Sequence, residues 1–346
     1  MKKLQTSLAY TFFTFLFFLI SHSGHAQANT HVPSVLEYLT AQEGAKMTLE
    51  TDLTTIIANK KTNQYFPGTI TTAEGKTYKI ELRPRGKYRR KVAEIPPLKI
   101  KFKKKDLTSE GLDTLNEIKL VLPCFDNDMG DQLIAKEYIA YRMFEKLTGA
   151  AVRARLIRLT IRDTHVEKSK KTMLAMLVED EEETVARLNG QVVDQYGIPA
   201  DSLMTHQAAL VSMFEYMIGN TDWEVSMMRN VRLIRSSENP GKVLVVPYDF
   251  DFSGLVSAPY SSPASETGLK SVRDRFLISN GLKPDALKKA AKMIVTAKKD
   301  LYNLCESKFL TRMSTEEMTR YLDTFFNQME ASEEIPQILK MPVPTD

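Results

Sequence analysis

The amino-acid sequence predicts an α+β chain of two lobes, β-rich with one long helix over residues 29–180 and mainly helical over 181–346. Three observations predict this. Short apolar runs between residues 47 and 122 alternate or are β-branched, and Pro, Gly and Asn punctuate them, which is strand patterning. Residues 131–148 carry apolar side chains every three or four positions, the spacing of a helix with one buried face. Beyond residue 180 that helical spacing returns in long segments, interrupted by one pair of strands.

The first 28 residues are expected to stand outside the fold. Lys2 and Lys3 precede a 13-residue apolar run over 8–20, and small residues at Gly24, Ala26 and Ala28 suit cleavage after Ala26 or Ala28. A membrane-spanning helix needs about 20 apolar residues. The segment therefore reads as a removable signal peptide, and the mature chain as periplasmic or secreted without a membrane span. Losing Lys2 and Lys3 takes the formal charge from +4 to +2, a balance that argues for neither a nucleic-acid nor a membrane partner. Cys124 and Cys305 suffice for one disulfide and are too few for a disulfide scaffold or thiolate metal site; whether they meet stays open.

Strands are predicted at 47–57, 66–72, 77–83, 98–102 and 118–122. Within this sheet 11 of the 23 residues from 83 to 105 are Lys or Arg. Alternation turns Leu98, Ile100 and Phe102 toward the core and Lys99, Lys101 and Lys103 to the opposite face. A solvated, edge-protecting face accounts for most of these lysines. The functional alternative has Lys99 or Lys101 reaching nucleotide phosphates beside a turn at Arg85 and Gly86. The block carries too few aromatics for a nucleic-acid stacking platform. The helix over 131–148 ends at Gly149 and has a stripe of Leu133, Glu137, Tyr141 and Phe144. Glu137 in that stripe requires a cationic partner or a place at its rim, because a buried unpaired charge is strongly disfavoured. Strands follow at 152–161 and 172–178, and the acids at 179–183 suit the start of a helix. Helices are predicted at 201–218 and 284–304, and Ser314 with Glu317 reads as a capping box for a last helix through Met329. Residues 258–268, rich in Ser and Pro, form a loop in the place of a lid or activation segment.

Residues 214–254 carry the chemistry. A helix is expected to stop at Gly219 and Asn220, leaving Asp222 in a loop and Asn230 at the start of a strand. A second strand over 243–246 runs into Tyr248, Asp249 and Asp251, and the two aspartates share a side if the extended conformation persists. Asp222, Asn230, Asp249 and Asp251 are oxygen ligands suited to a hard cation such as magnesium. An aspartate, an asparagine after it and an aspartate at a strand end is also the order in which phosphotransferases of the kinase type set out base and metal ligands. Either half alone reads as turn and capping residues; both together favour a site.

The order of these parts resembles the spore coat protein H (CotH)-like atypical kinases, a branch of the protein-kinase-like fold. The residues that carry the likeness are Arg85-Gly86, 97–102, 136–149, Val178-Glu179, 219–222 with Asn230, and 249–251. The resemblance implies a two-lobed kinase-like fold and ATP- and magnesium-dependent phosphoryl transfer to a hydroxyl of a protein or small molecule. It further implies that Asp222 is the base and that Asn230 with Asp249 or Asp251 binds metal. Lys99 or Lys101 would hold phosphate with Glu137 orienting that lysine, Arg85 would lie nearby, and Glu179 would stand at the strand end that meets the adenine. The chain departs from ordinary protein kinases in lacking a glycine-rich loop and in the eight-residue spacing from Asp222 to Asn230. Two other classes remain open: a catalytically silent binding or surface-assembly module, and a metal-dependent hydrolase built on Asp249 and Asp251.

Overall fold

Alternation along the first seven strands decides which side chains meet. These are β1 (Ala45–Thr51), β2 (Phe66–Thr71), β3 (Thr77–Pro84), β4 (Leu98–Phe102), β5 (Glu117–Val121), β6 (Ala154–Asp163) and β7 (Lys171–Glu179). The computed structural model describes residues 31–330, so the expected signal peptide lies outside the described residues. Leu49, Ile80, Leu82, Leu98, Ile100, Ile118, Leu120, Leu159 and Leu177 share one core on the inner faces of these strands. The helices are α1 (Val35–Leu39), α2 (Leu53–Ala58), α3 (Arg89–Val92), α4 (Lys104–Ser109), α5 (Asp128–Leu147), α6 (Glu181–Arg187), α7 (Thr205–Ile218), α8 (Pro284–Thr296), α9 (Lys298–Cys305) and α10 (Arg312–Glu330). A second sheet holds β8 (Gly190–Val192), β9 (Val231–Ser236) and β10 (Leu244–Pro247) in the order β10-β9-β8.

The two-lobed kinase-like arrangement is not what the chain forms. Its strands close into a seven-stranded barrel, β1-β2-β3-β4-β5-β7-β6, with the helices around it. Parallel pairing of β1 with β6, from Ala45 opposite Ile157 to Thr51 opposite Asp163, seals the ring. The described residues from Pro33 onward make one compact unit. Strand periodicity marks which residues are extended, but edge pairing between segments more than a hundred residues apart leaves no local signature.

β7 explains how barrel and helices share their interior. Its residues from Met173 to Glu179 are buried without interruption, the pattern of a strand covered on both faces. Ala175 and Leu177 point into the barrel, whereas Leu174, Met176 and Val178 join the helical core with Tyr138, Phe144 and Phe214. The expected strand over 47–57 breaks at Asp52, whose carboxylate accepts from Thr55 N at 2.8 Å and caps α2. The expected helix over 284–304 parts at Ala297 into α8 and α9. The capping box at Ser314 does not form, since α10 begins earlier and the Thr311 hydroxyl accepts from Ser314 N at 3.2 Å. Cys124 and Cys305 are both buried free thiols.

Gly219 ends α7 in the left-handed conformation (φ 67°), as a helix C-cap requires. The Tyr321 hydroxyl of α10 packs against Gly219 and Gly254, and a Cβ on Gly254 would stand 2.6 Å from the Val272 carbonyl oxygen. Gly254→Ala is therefore expected to cost about 1–3 kcal/mol as overpacking, lowering the thermal midpoint; an unchanged midpoint in calorimetry refutes this close approach.

Candidate functional site

The loop after α7 sets Asp222 by local means. Trp223 and Val225 are buried anchors, and Glu224 and Arg229 exchange backbone hydrogen bonds at 2.9 Å in both directions. That bridge turns the chain back, so the eight-residue spacing returns Asn230 to Asp222. Asn230 Nδ2 donates to the Asp222 carbonyl at 2.6 Å and to its carboxylate Oδ2 at 2.9 Å, while Asn230 Oδ1, an acceptor, takes no hydrogen bond from any described residue. The Asp222 main-chain N–H is held by Asn220 Oδ1 at 3.0 Å. Burial raises the Asp222 carboxyl above its ordinary range and Asp251 adds to this, against the pull of Arg229 and Asn230.

Asp249 and Asp251 do not continue a strand. β10 ends at Pro247, and Asp249 takes a left-handed backbone at φ 68°, with Asn230 beside it at φ 51°. Such conformations in non-glycine residues are uncommon and gather at functional sites. The turn is pinned by Phe250, fully buried against Tyr141 and Phe214 at ring distances of 4.7 and 5.6 Å. The Tyr141 hydroxyl accepts from Asp249 N at 2.8 Å. Burial, then the like charge of Asp251, pushes the Asp249 carboxyl up to about 6.

Glu137 has its cationic partner, and that partner is Arg89. The guanidinium of Arg89, itself buried, donates Nη2 to Glu137 and Nε to Asp251 at 2.8 Å. Tyr260 adds its hydroxyl to the same Asp251 oxygen at 3.1 Å. Burial raises Glu137 even though Arg89 pulls it down. The two lysines expected there lie elsewhere. Lys99 pairs with Glu117 at 2.6 Å and Asp180 at 3.0 Å; Lys101 is more exposed, over the Tyr65 ring at 5.4 Å. Glu179 is fully buried and saturated by Arg153 and Arg187, its carboxylate receiving from their Nε atoms at 3.1 and 2.8 Å. It ties β7 to α6 and does not line the cleft.

Asp222, Asn230, Asp249 and Asp251 thus line one cleft of about 780 Å³ together with Arg85, Arg89, Arg229, Arg232 and Tyr248. Arg89, Arg229, Arg232 and Tyr260 were not singled out by pattern. The only available signal was the basic run at 83–91, where Arg89 is one cation among several. The donor set suits magnesium. Among the described residues no three carboxylate, histidine or cysteine groups close on one point, and magnesium asks the protein for only one or two carboxylates. The Asp249 carboxylate accepts no hydrogen bond from any described residue, and the bonds to Asp251 engage Oδ2, leaving Oδ1 uncommitted.

Lys119 is a further missed group behind this wall. Its Nζ lies 5.9 Å from the Tyr248 ring centroid and donates to the Glu179 carbonyl at 3.2 Å. Burial lowers its pKa to about 8, with Asp180 opposing and Arg85, Arg232 and Lys99 assisting. A lysine depressed in the fold binds fewer protons there than when unfolded between pH 8 and 10.5, so its contribution to stability rises with pH across that window. Wild type is expected to gain on the order of 1–3 kcal/mol relative to Lys119→Met between pH 7 and 10. Denaturant unfolding of both proteins at each pH reads this, and a difference independent of pH overturns it.

No protein-family model matches the chain, and a search of curated proteins finds no match.

Proposed function

We propose that this cleft transfers a phosphoryl group from ATP, held with magnesium, to the hydroxyl of a protein or small-molecule substrate. This is the activity implied by the likeness to CotH kinases. The observation that carries the reading is the gathering of Asp222, Asn230, Asp249 and Asp251 with several arginines around one cleft, from segments far apart in the chain. Carboxylates beside guanidinium groups are what a metal-bound triphosphate asks for, one set for the cation and one for the phosphate oxygens.

Asp249, Asp251 Oδ1 and Asn230 Oδ1 are the groups that would hold magnesium, which when bound neutralises phosphate charge and fixes its orientation. In this reading Asp222 accepts the substrate hydroxyl proton. Its second oxygen is braced by Asn230, and its raised pKa makes it a better base than an exposed aspartate. Arg85 faces the cleft as a phosphate donor, and Arg232, whose Nε pairs with Glu181 at 3.1 Å, offers its terminal nitrogens beside it. Arg89 acts differently, because its guanidinium is committed to Glu137 and Asp251 and so positions the metal side of the site. The charged start, apolar run and small residues over 1–28 support export of the chain.

The test is phosphate transfer from labelled ATP with magnesium, to the protein itself and to a panel of hydroxyl acceptors. Wild type is expected to turn over, with Asp222→Ala and Asp251→Ala reduced a hundredfold or more. Equal background in all three proteins leaves a silent nucleotide-binding module; phosphate release from a diester without nucleotide points instead to a hydrolase.

A further inference from the structure

A second cavity, of about 620 Å³, opens between α5, the segment around Ser257 and Arg273–Arg275, and α10. Its cations exceed its anions. Lys136 is matched by Glu317 at 2.6 Å, but Arg273, Arg275 and Arg320 have no carboxylate within ion-pair distance among the described residues. Arg275 is the most telling. Its guanidinium lies 4.0 Å from the centroid of the Tyr321 ring. It donates to the Met217 carbonyl at 3.2 Å, the Thr324 hydroxyl at 2.6 Å and the Tyr321 carbonyl at 2.7 Å. Burial lowers its pKa and Arg273 assists, with only the tyrosines Tyr321 and Tyr216 opposing and no carboxylate among the opposing groups.

Arg273 sits 4.9 Å from the same ring centroid and donates no side-chain hydrogen bond to any described residue. Among the described residues Arg320 donates only through Nε, to the Glu316 carbonyl at 3.1 Å. Tyr321 therefore carries two guanidinium groups, and the terminal nitrogens of Arg320, the residue before it in α10, donate to no described residue. Keeping a half-buried positive charge without a counter-ion is costly. A cluster of planar forks with free N–H groups matches the oxygens of a tetrahedral dianion.

We propose that this pocket is a binding site for a phosphate monoester, gripped by Arg273 and Arg320 and anchored electrostatically by Arg275. The site is separate from the carboxylate cleft, and the proposal stands whether or not phosphoryl transfer occurs there.

The test is calorimetric titration of the full chain with inorganic phosphate and with a phosphoserine peptide, on wild type, on Arg273→Ala/Arg320→Ala and on Arg85→Ala. Both replaced side chains of the double variant are exposed, so its thermal midpoint without phosphate should match wild type. The expected result is saturable binding that weakens tenfold or more in the double variant and persists in Arg85→Ala, whose lost arginine belongs to the other cleft. A peptide tighter than inorganic phosphate assigns the pocket to a phosphorylated chain, and a peptide no tighter assigns it to a small phosphate ester. Absence of saturable binding to wild type, binding unchanged in the double variant, or loss in Arg85→Ala alone overturns the proposal.

Discussion

The buried bridge from Arg89 to Glu137 and Asp251 is the constraint on which the site depends. It joins three parts that share no local sequence: the connection between β3 and β4, the middle of α5, and the turn beyond β10. Burying these charges costs desolvation that only good geometry and further hydrogen bonds offset, and removing one partner of such a bridge strands the others at about 3–5 kcal/mol. The arrangement leaves acid in excess, since Glu137, Asp249 and Asp251 face Arg89 with Arg85 nearby.

Around this bridge the structure uses few rigid supports. α5 packs on β7 and brings Glu137 and Tyr141, one turn apart, to the same turn of the chain. Tyr141 fixes the main chain of Asp249 and stacks edge-on against Phe250, so the strained left-handed backbone at Asp249 is held by neighbours on both sides. Strain of this kind costs on the order of 1–3 kcal/mol and persists only where packing over-determines it. The Tyr321 hydroxyl lies against Gly219 and Gly254, on either side of the Asp222 loop and the Asp249–Asp251 turn, linking the last helix to both.

Closing the barrel changes how the basic block is to be understood. β4 and β5 pair Lys99 with Lys119 across the outer face, where Glu117 and Asp180 absorb Lys99 and burial depresses Lys119. The cation at the carboxylates is instead an arginine from the one-turn helix α3. A guanidinium can donate to two carboxylates at once in a fixed fork, which an ammonium does less well.

Sequence alone determined what short-range physics controls. The 2-residue alternation of β4, the glycine cap after α7, the stripe that made Glu137 need a partner, and the grouping of Asp222, Asn230, Asp249 and Asp251 were all legible, because each rests on residues within a few turns or one hairpin. Tertiary structure decided the rest: that β1 meets β6 to close a barrel, that Glu179 is tied down by Arg153 and Arg187, and that Arg89 rather than Lys99 or Lys101 answers Glu137. Partners separated by tens to more than a hundred residues leave no periodic trace, and among many similar cations only their burial and position in space choose one.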